Sequence, residues 1–295
     1  MSSRRITMVL VLVLLLALSL AAVPAATAGG VTPRYYLSLG DSIAAGWQPD
    51  PVTGESGFTD EAYTDVLYRK LRRDLPGLQH VKLGCPGETT GSMIGGGGPA
   101  NCFPGSSQLA TAVAFIGAHP GEVVLITIDI GVNDILSCLD AADVPACVTA
   151  KLPQVGQGLG QILHTLRLAT ANAVPIVGMN YYNPFLATWL EGIPPDGAAG
   201  PAYAQLTSQL AMALNDMTLE PVYAMFAVPV VDVWAAYKSA RWYLAGGEPY
   251  NVTRICQLTW MCAAPPVGPD IHPDQQGHAV IAGAFQKVLE GMGIG

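Results

Sequence analysis

Charge is scarce in this 295-residue chain. Lys, Arg, Asp and Glu make up 12% of it, against about 25% in ordinary soluble domains. The 14 basic residues form no run longer than two and are outnumbered by 22 acidic ones, giving a net charge of −8. Nucleic acid and an anionic membrane surface are therefore not expected as partners, and the surface must be neutral and polar or partly apolar. Cysteine is sparse too: six residues, with no C-x-x-C pair and no histidines clustered at ligand spacing, so no metal is expected. A G-x-S-x-G elbow is absent, which sets aside the ordinary α/β-hydrolase scheme. No G-K-[ST] follows the glycines at 95–98, which read as a flexible loop and not as a phosphate cradle.

What is present starts with Arg4 and Arg5, an apolar run over 8–23, and Ala26-Thr27-Ala28. That is the layout of a secretory signal. Pro24 and the small residues behind it leave the run short of the roughly 18–20 apolar residues of a membrane anchor. Residues 1–28 are expected to be removed, leaving 29–295 as one secreted domain with no stable membrane anchor and a monomer by default. An even number of cysteines in an oxidising compartment reads as disulfides. The simplest of the possible pairings joins Cys85 to Cys102, Cys138 to Cys147 and Cys256 to Cys262, because each closes a short loop.

Strand-length apolar runs at 35–39, 80–83, 123–130, 174–179 and 228–233 alternate with helical patterns at 61–74, 151–172, 202–226 and 279–292. The Gly/Pro-rich stretches at 95–105, 192–201 and 263–268 read as loops. Alternation of this kind predicts βαβ units and a mostly parallel sheet covered by helices on both faces, a three-layer α/β/α sandwich. Ligands of such sheets bind beyond the carboxyl ends of the strands. Four polar, glycine-bearing segments fall there or just before the last helix: Gly40-Asp41-Ser42, the stretch from Leu83 to Ser92, Gly131-Val132-Asn133-Asp134, and Asp270 to His278.

In these blocks the sequence resembles the SGNH (GDSL) hydrolases, and most closely exported esterases and lipases of that family with three disulfides. The blocks stand in the family's order. The resemblance implies a five-stranded flavodoxin-like fold and a carboxylic ester hydrolase. Ser42 falls on the nucleophile, His272 on the general base, and Gly87 and Asn133 on oxyanion donors. No cofactor is implied, since every reacting group is supplied by protein.

The chemistry accounts for the residue types. A serine hydroxyl is a weak nucleophile until a neutral histidine takes its proton. The oxyanion formed on an attacked ester needs fixed donors aimed at it, which the Ser42 and Gly87 N–H groups and the Asn133 amide would supply. One departure from the family pattern is visible. The usual Asp three residues before the histidine is Pro269 here, and Asp270 lies only two before. Either Asp270 orients the ring or a backbone carbonyl, such as that of Pro269, does. The carbonyl is the favoured expectation, and with it a dyad.

Plainer readings apply to several residues. Asp41 and Ser42 are good helix caps, Asn133-Asp134 suits a turn, and Asp134 is expected to do no more than that. His80, His119 and His164 have no motif around them, and His278 belongs to the last helix. Trp47 is near Ser42 in sequence, and Asn251-Val252-Thr253 is a glycosylation sequon. Beside the ester hydrolase stand two alternatives: a non-catalytic lipid- or glycan-binding protein on the same fold, and an esterase for acetylated polysaccharide. The residues leave the substrate open.

Overall fold

The computed structural model describes residues 33–190, 193 and 200–294. The signal-sequence expectation, and most of the loop expected at 192–201, lie outside these residues. Strands β1 (Arg34–Gly40), β2 (Leu78–Lys82), β3 (Val123–Asp129), β4 (Ile176–Met179) and β5 (Val230–Val231) form one sheet in the order β2-β1-β3-β4-β5. Every pairing in it is parallel. This is the expected architecture, and the reversal of strand order beside β1 creates the crevice where such sheets bind ligands. Tyr36, Leu37, Leu39, Ile126 and Ile128 are fully buried, as central strands covered on both faces require.

The register matters at the carboxyl ends. Gly40 pairs with Asp129, so the Asp41-Ser42 turn sits directly beside Asp129. A Cβ on Gly40 would lie 1.8 Å from the Asp129 carboxylate, and only glycine allows that approach.

The main helices are α1 (Tyr63–Asp74), α2 (Gln108–Ala118), α3 (Val144–Ala169), α4 (Pro201–Leu214) and α5 (Gln275–Gly291). Helix α3 starts earlier than the pattern at 151–172 predicts. Asp143 caps it, its carboxylate accepting from the Ala146 N–H at 3.0 Å, and a proline stands in its first turn, where a missing N–H costs nothing. Helix α5 likewise starts ahead of 279, because Asp274 accepts from the Gly277 N–H at 2.7 Å. Strand β5 is shorter than the 228–233 run because Asp232 caps the next short helix instead, accepting from the Ala235 N–H. The helix expected at 202–226 is α4 continued through a π-turn, Asn215–Leu219, into Glu220–Met225. Helix α2 has no counterpart in the sequence reading. The three disulfides are the sequence-local ones, Cys85–Cys102, Cys138–Cys147 and Cys256–Cys262.

Candidate active site

Ser42 opens a single helical turn at the end of β1 and is nearly buried. Asp41 caps that turn, accepting from the Ile43 N–H at 2.9 Å, so capping is real and leaves the serine hydroxyl uncommitted. The other Asp41 oxygen accepts from the Tyr181 hydroxyl at 2.8 Å. Tyr181 is itself held by Asn215 in the π-turn, whose amide exchanges hydrogen bonds with the Tyr181 backbone at 2.8 and 3.0 Å. Such turns recur where a helix is bent to serve a site.

Beneath Ser42 two carboxyl groups are buried together. Burial raises the Asp41 pKa to about 6. Burial first, and then the charge of Asp41, push the Asp129 carboxyl well above the usual range. One Asp129 oxygen accepts from the Tyr63 hydroxyl at 3.3 Å, and the other has no partner among the described residues. Two like charges this close cannot both ionise cheaply, so each carboxyl disfavours ionisation of the other.

His272 lies on a loop that pairs with Leu258, Thr259 and Trp260. The Trp260 N–H donates to the His272 carbonyl (3.1 Å), and the N–H groups of Asp270 and Asp274 donate to the Trp260 and Leu258 carbonyls (3.2 and 3.0 Å). The Cys256–Cys262 disulfide closes the partner segment, and the Tyr182 hydroxyl donates to the Ile271 carbonyl at 2.8 Å. Asp270 Oδ1 is 2.7 Å from His272 Nδ1 and accepts from the His272 backbone N–H at 2.8 Å. The ring is thus oriented by the Asp270 carboxylate and not by the Pro269 carbonyl, contrary to the favoured expectation. The reason is that a single oxygen satisfies ring and backbone together, which two-residue spacing allows and three-residue spacing is not needed for. Burial would raise the Asp270 carboxyl, but the hydrogen bonds and charge of His272 outweigh it and hold it below the ordinary value.

The segment around Gly87 is anchored at several points. Gly87 has φ +73°, a left-handed conformation that favours glycine, and its N–H donates to no other backbone group among the described residues. The Asn133 amide donates to the Glu88 carbonyl at 2.9 Å, and its second N–H has no partner among the described residues. Asp134 accepts from both the N–H and the hydroxyl of Thr90, at 2.9 and 2.7 Å. It is therefore a clamp between two strand ends and more than a turn residue. Gln108 joins the same parts: its amide spans Gly40 N–H and C=O at 2.7 and 2.9 Å and reaches the Glu88 carboxylate at 3.2 Å. The sequence reading missed Gln108, although a glutamine on the buried stripe with Ala112 and Ile116 is a signal. The Cys85–Cys102 bridge fastens the loop beyond.

Ser42, Asn133 and His272 line one cavity, open to solvent. Most of its wall is apolar, including Ile135, Leu139, Phe185, Leu210 and Leu214. An apolar recess with a few converging polar groups is the usual form of a small-molecule site. Among the described residues no hydrogen bond joins Ser42 to His272, and such bonds commonly tighten only with substrate bound. Gly87 lies outside this wall and shares with Asn133 a second, more polar cleft.

A second serine–histidine–aspartate cluster is present and is not a rival. Ser38 Oγ lies 2.8 Å from His80 Nε2, and His80 Nδ1 is 3.5 Å from Asp65. Ser38 is fully buried inside β1, so no ester reaches it, and Lys82 occupies Asp65 at 2.7 Å. His119 pairs with Glu122, His164 is exposed on α3, and His278 is a buried acceptor for the Tyr63 N–H. Trp47 packs on Phe58 in a side hairpin and does not line the cavity. Asn251 is fully buried and donates to the Ser239 carbonyl, so the sequon is closed to glycosylation in the folded chain. Among the described residues no group of His, Cys, Asp and Glu is arranged to hold a metal ion, and no helix is long and apolar enough to cross a membrane.

A parallel sheet with a serine, a histidine and an amide gathered at its carboxyl edge is the frame of a hydrolase. The chain matches the GDSL-like lipase/acylhydrolase family over residues 38–280 and belongs to it. Its fold is similar to that of an aryl esterase from M. smegmatis (TM-score 0.51, 14% identity, 88% of this chain and 99% of the other). It is also similar to phospholipase A1 from Streptomyces albidoflavus (TM-score 0.55, 16%, 88% and 99%) and to an extracellular lipase from Streptomyces rimosus (TM-score 0.50, 17%, 86% and 99%). No curated protein matches the sequence. Family membership supports ester hydrolysis in general.

Proposed function

We propose that this chain is an exported esterase or lipase that cleaves carboxylic esters through an acyl-Ser42 intermediate. The observation that carries the reading is that Ser42, Asn133 and His272 line one apolar cavity while Asp270 holds the His272 ring. Ser42 Oγ attacks the ester carbonyl as its proton passes to His272 Nε2, the nitrogen left free by Asp270. The oxyanion is received by the Ser42 and Gly87 N–H groups and the second Asn133 N–H. The carbon–oxygen bond to the alcohol then breaks, and the alcohol leaves with the proton from His272. Water, deprotonated by His272, attacks the acyl-serine and releases the carboxylic acid and Ser42.

Export follows the same reading: the amino-terminal pattern, three disulfides and a fold shared with an extracellular lipase support it. The test is turnover of p-nitrophenyl esters of increasing chain length by the secreted protein and by Ser42→Ala and Ser38→Ala variants. Wild type and Ser38→Ala are expected to turn over and Ser42→Ala not. Inertness of wild type toward every ester would overturn the reading in favour of a binding protein.

A further inference from the structure

The Asn133 side chain stands between two recesses of opposite character. On the side of Ser42 and His272 lies the apolar cavity. On the other, sharing Asn133 and continuing past Gly87, lies an open cleft walled by Thr89, Ser137, Lys151, Gln154, Gln157 and Gln161. Residues 154, 157 and 161 follow helical spacing and share one face of α3. That face is opposite the buried stripe of Leu159, Ile162, Leu163 and Leu166. All three glutamines are exposed. Their amide groups carry no hydrogen bond among the described residues, Gln161 engaging Thr165 only through its backbone carbonyl. Gly158 brings this face against the Gly87 segment: a Cβ there would lie 2.6 Å from Thr90.

An amide group offers paired donors and an acceptor and carries no charge, which suits neutral hydroxyl groups and is poorly suited to a phosphate. The one cation among the described residues of the cleft, Lys151, donates to Ser137 at 2.9 Å, and its charge is offset by the Asp134 carboxylate of the same cleft, so the cleft does not favour an anion. An ester carbonyl received at Asn133 would have one branch in the apolar cavity and the other in the amide-lined cleft.

We infer that the substrate is amphipathic in this sense: a fatty acyl chain esterified to a polyhydroxy alcohol of the sugar class, with Gln154, Gln157 and Gln161 binding the hydroxyls. The inference rests on the esterase reading and deepens it.

The test compares octanoyl sucrose, methyl octanoate and an octanoyl lysophosphatidylcholine, following released octanoate with wild type and with the triple variant Gln154→Ala/Gln157→Ala/Gln161→Ala. Alanine is a better helix former than glutamine, so the variant keeps α3. The ratio of kcat/KM for the sugar ester to that for the methyl ester is expected to fall at least about tenfold in the variant, the effect of losing one or two hydrogen bonds. An unchanged ratio overturns the inference, as does a wild-type preference for the phospholipid that survives the triple substitution; both leave the esterase reading standing. Release of octanoate from none of the three overturns the inference if p-nitrophenyl esters are still turned over, and the esterase reading itself if they are not.

Discussion

Replacing Asp270 by asparagine and by alanine separates two things a carboxylate does for a catalytic histidine. Asp270 Oδ1 accepts from two N–H groups at once, the His272 ring at 2.7 Å and the His272 backbone at 2.8 Å. An asparagine oxygen can take both, because the backbone N–H holds it in place; the proton stays on Nδ1 and Nε2 stays free to act as base. What asparagine removes is charge. A hydrogen bond to a charged group contributes about 1.5–3 kcal/mol and a neutral one about 0.5–1.5, so Asp270→Asn is expected to lower kcat by about tenfold. Alanine removes the acceptor altogether, frees the ring to rotate and change tautomer, and is expected to approach the ~10⁴-fold loss associated with a misplaced tautomer. The assay is steady-state hydrolysis of p-nitrophenyl butyrate with active sites counted by a serine-directed phosphonate. Equal losses for the two variants would refute the shared-oxygen argument. Full activity in both would show that another acceptor orients the ring.

Asn133→Ala removes one oxyanion donor and should cost ~10²- to 10³-fold in kcat; a smaller loss in initial rates at saturating ester would place Asn133 outside the oxyanion site. Ala211→Trp fills the wall of the apolar cavity and should lower kcat/KM for octanoate esters much more than for acetate esters; a uniform change would mean that acyl chains lie elsewhere. Asp41, with a folded-state pKa of about 6 against 3.8 for the free group, binds its proton more tightly in the native state. Its contribution is therefore full below about pH 4 and lost as pH rises through 6, by up to about 3 kcal/mol. Asparagine, an equally good cap, lacks this dependence, so in urea unfolding Asp41→Asn should gain on wild type between pH 4 and 7. A difference that does not vary with pH would refute the assignment.

Local features of this protein were legible in its sequence. The parallel sheet could be read because fully buried strands are short apolar runs, and the Gly40-Asp41-Ser42 turn because a capping aspartate and a glycine must follow directly on β1. Pairing of the cysteines needed only short loops. Helix starts at Asp143 and Asp274 were missed, though each is a local cap, because apolar periodicity begins later than the cap does.

Contacts between distant segments were decided only by the tertiary structure. Whether Asp270 or a carbonyl meets His272 depends on how residues 270–274 lie against Leu258, Thr259 and Trp260. Asp134 becomes a clamp only because the ends of two strands bring it to Thr90. The buried Asp41 and Asp129 pair arises from the register of β1 on β3, and the glutamines of α3 face a cleft only because Gly158 admits Thr90. Spacing along a chain constrains neighbours within a turn or two; which remote groups meet is set by how the whole core packs.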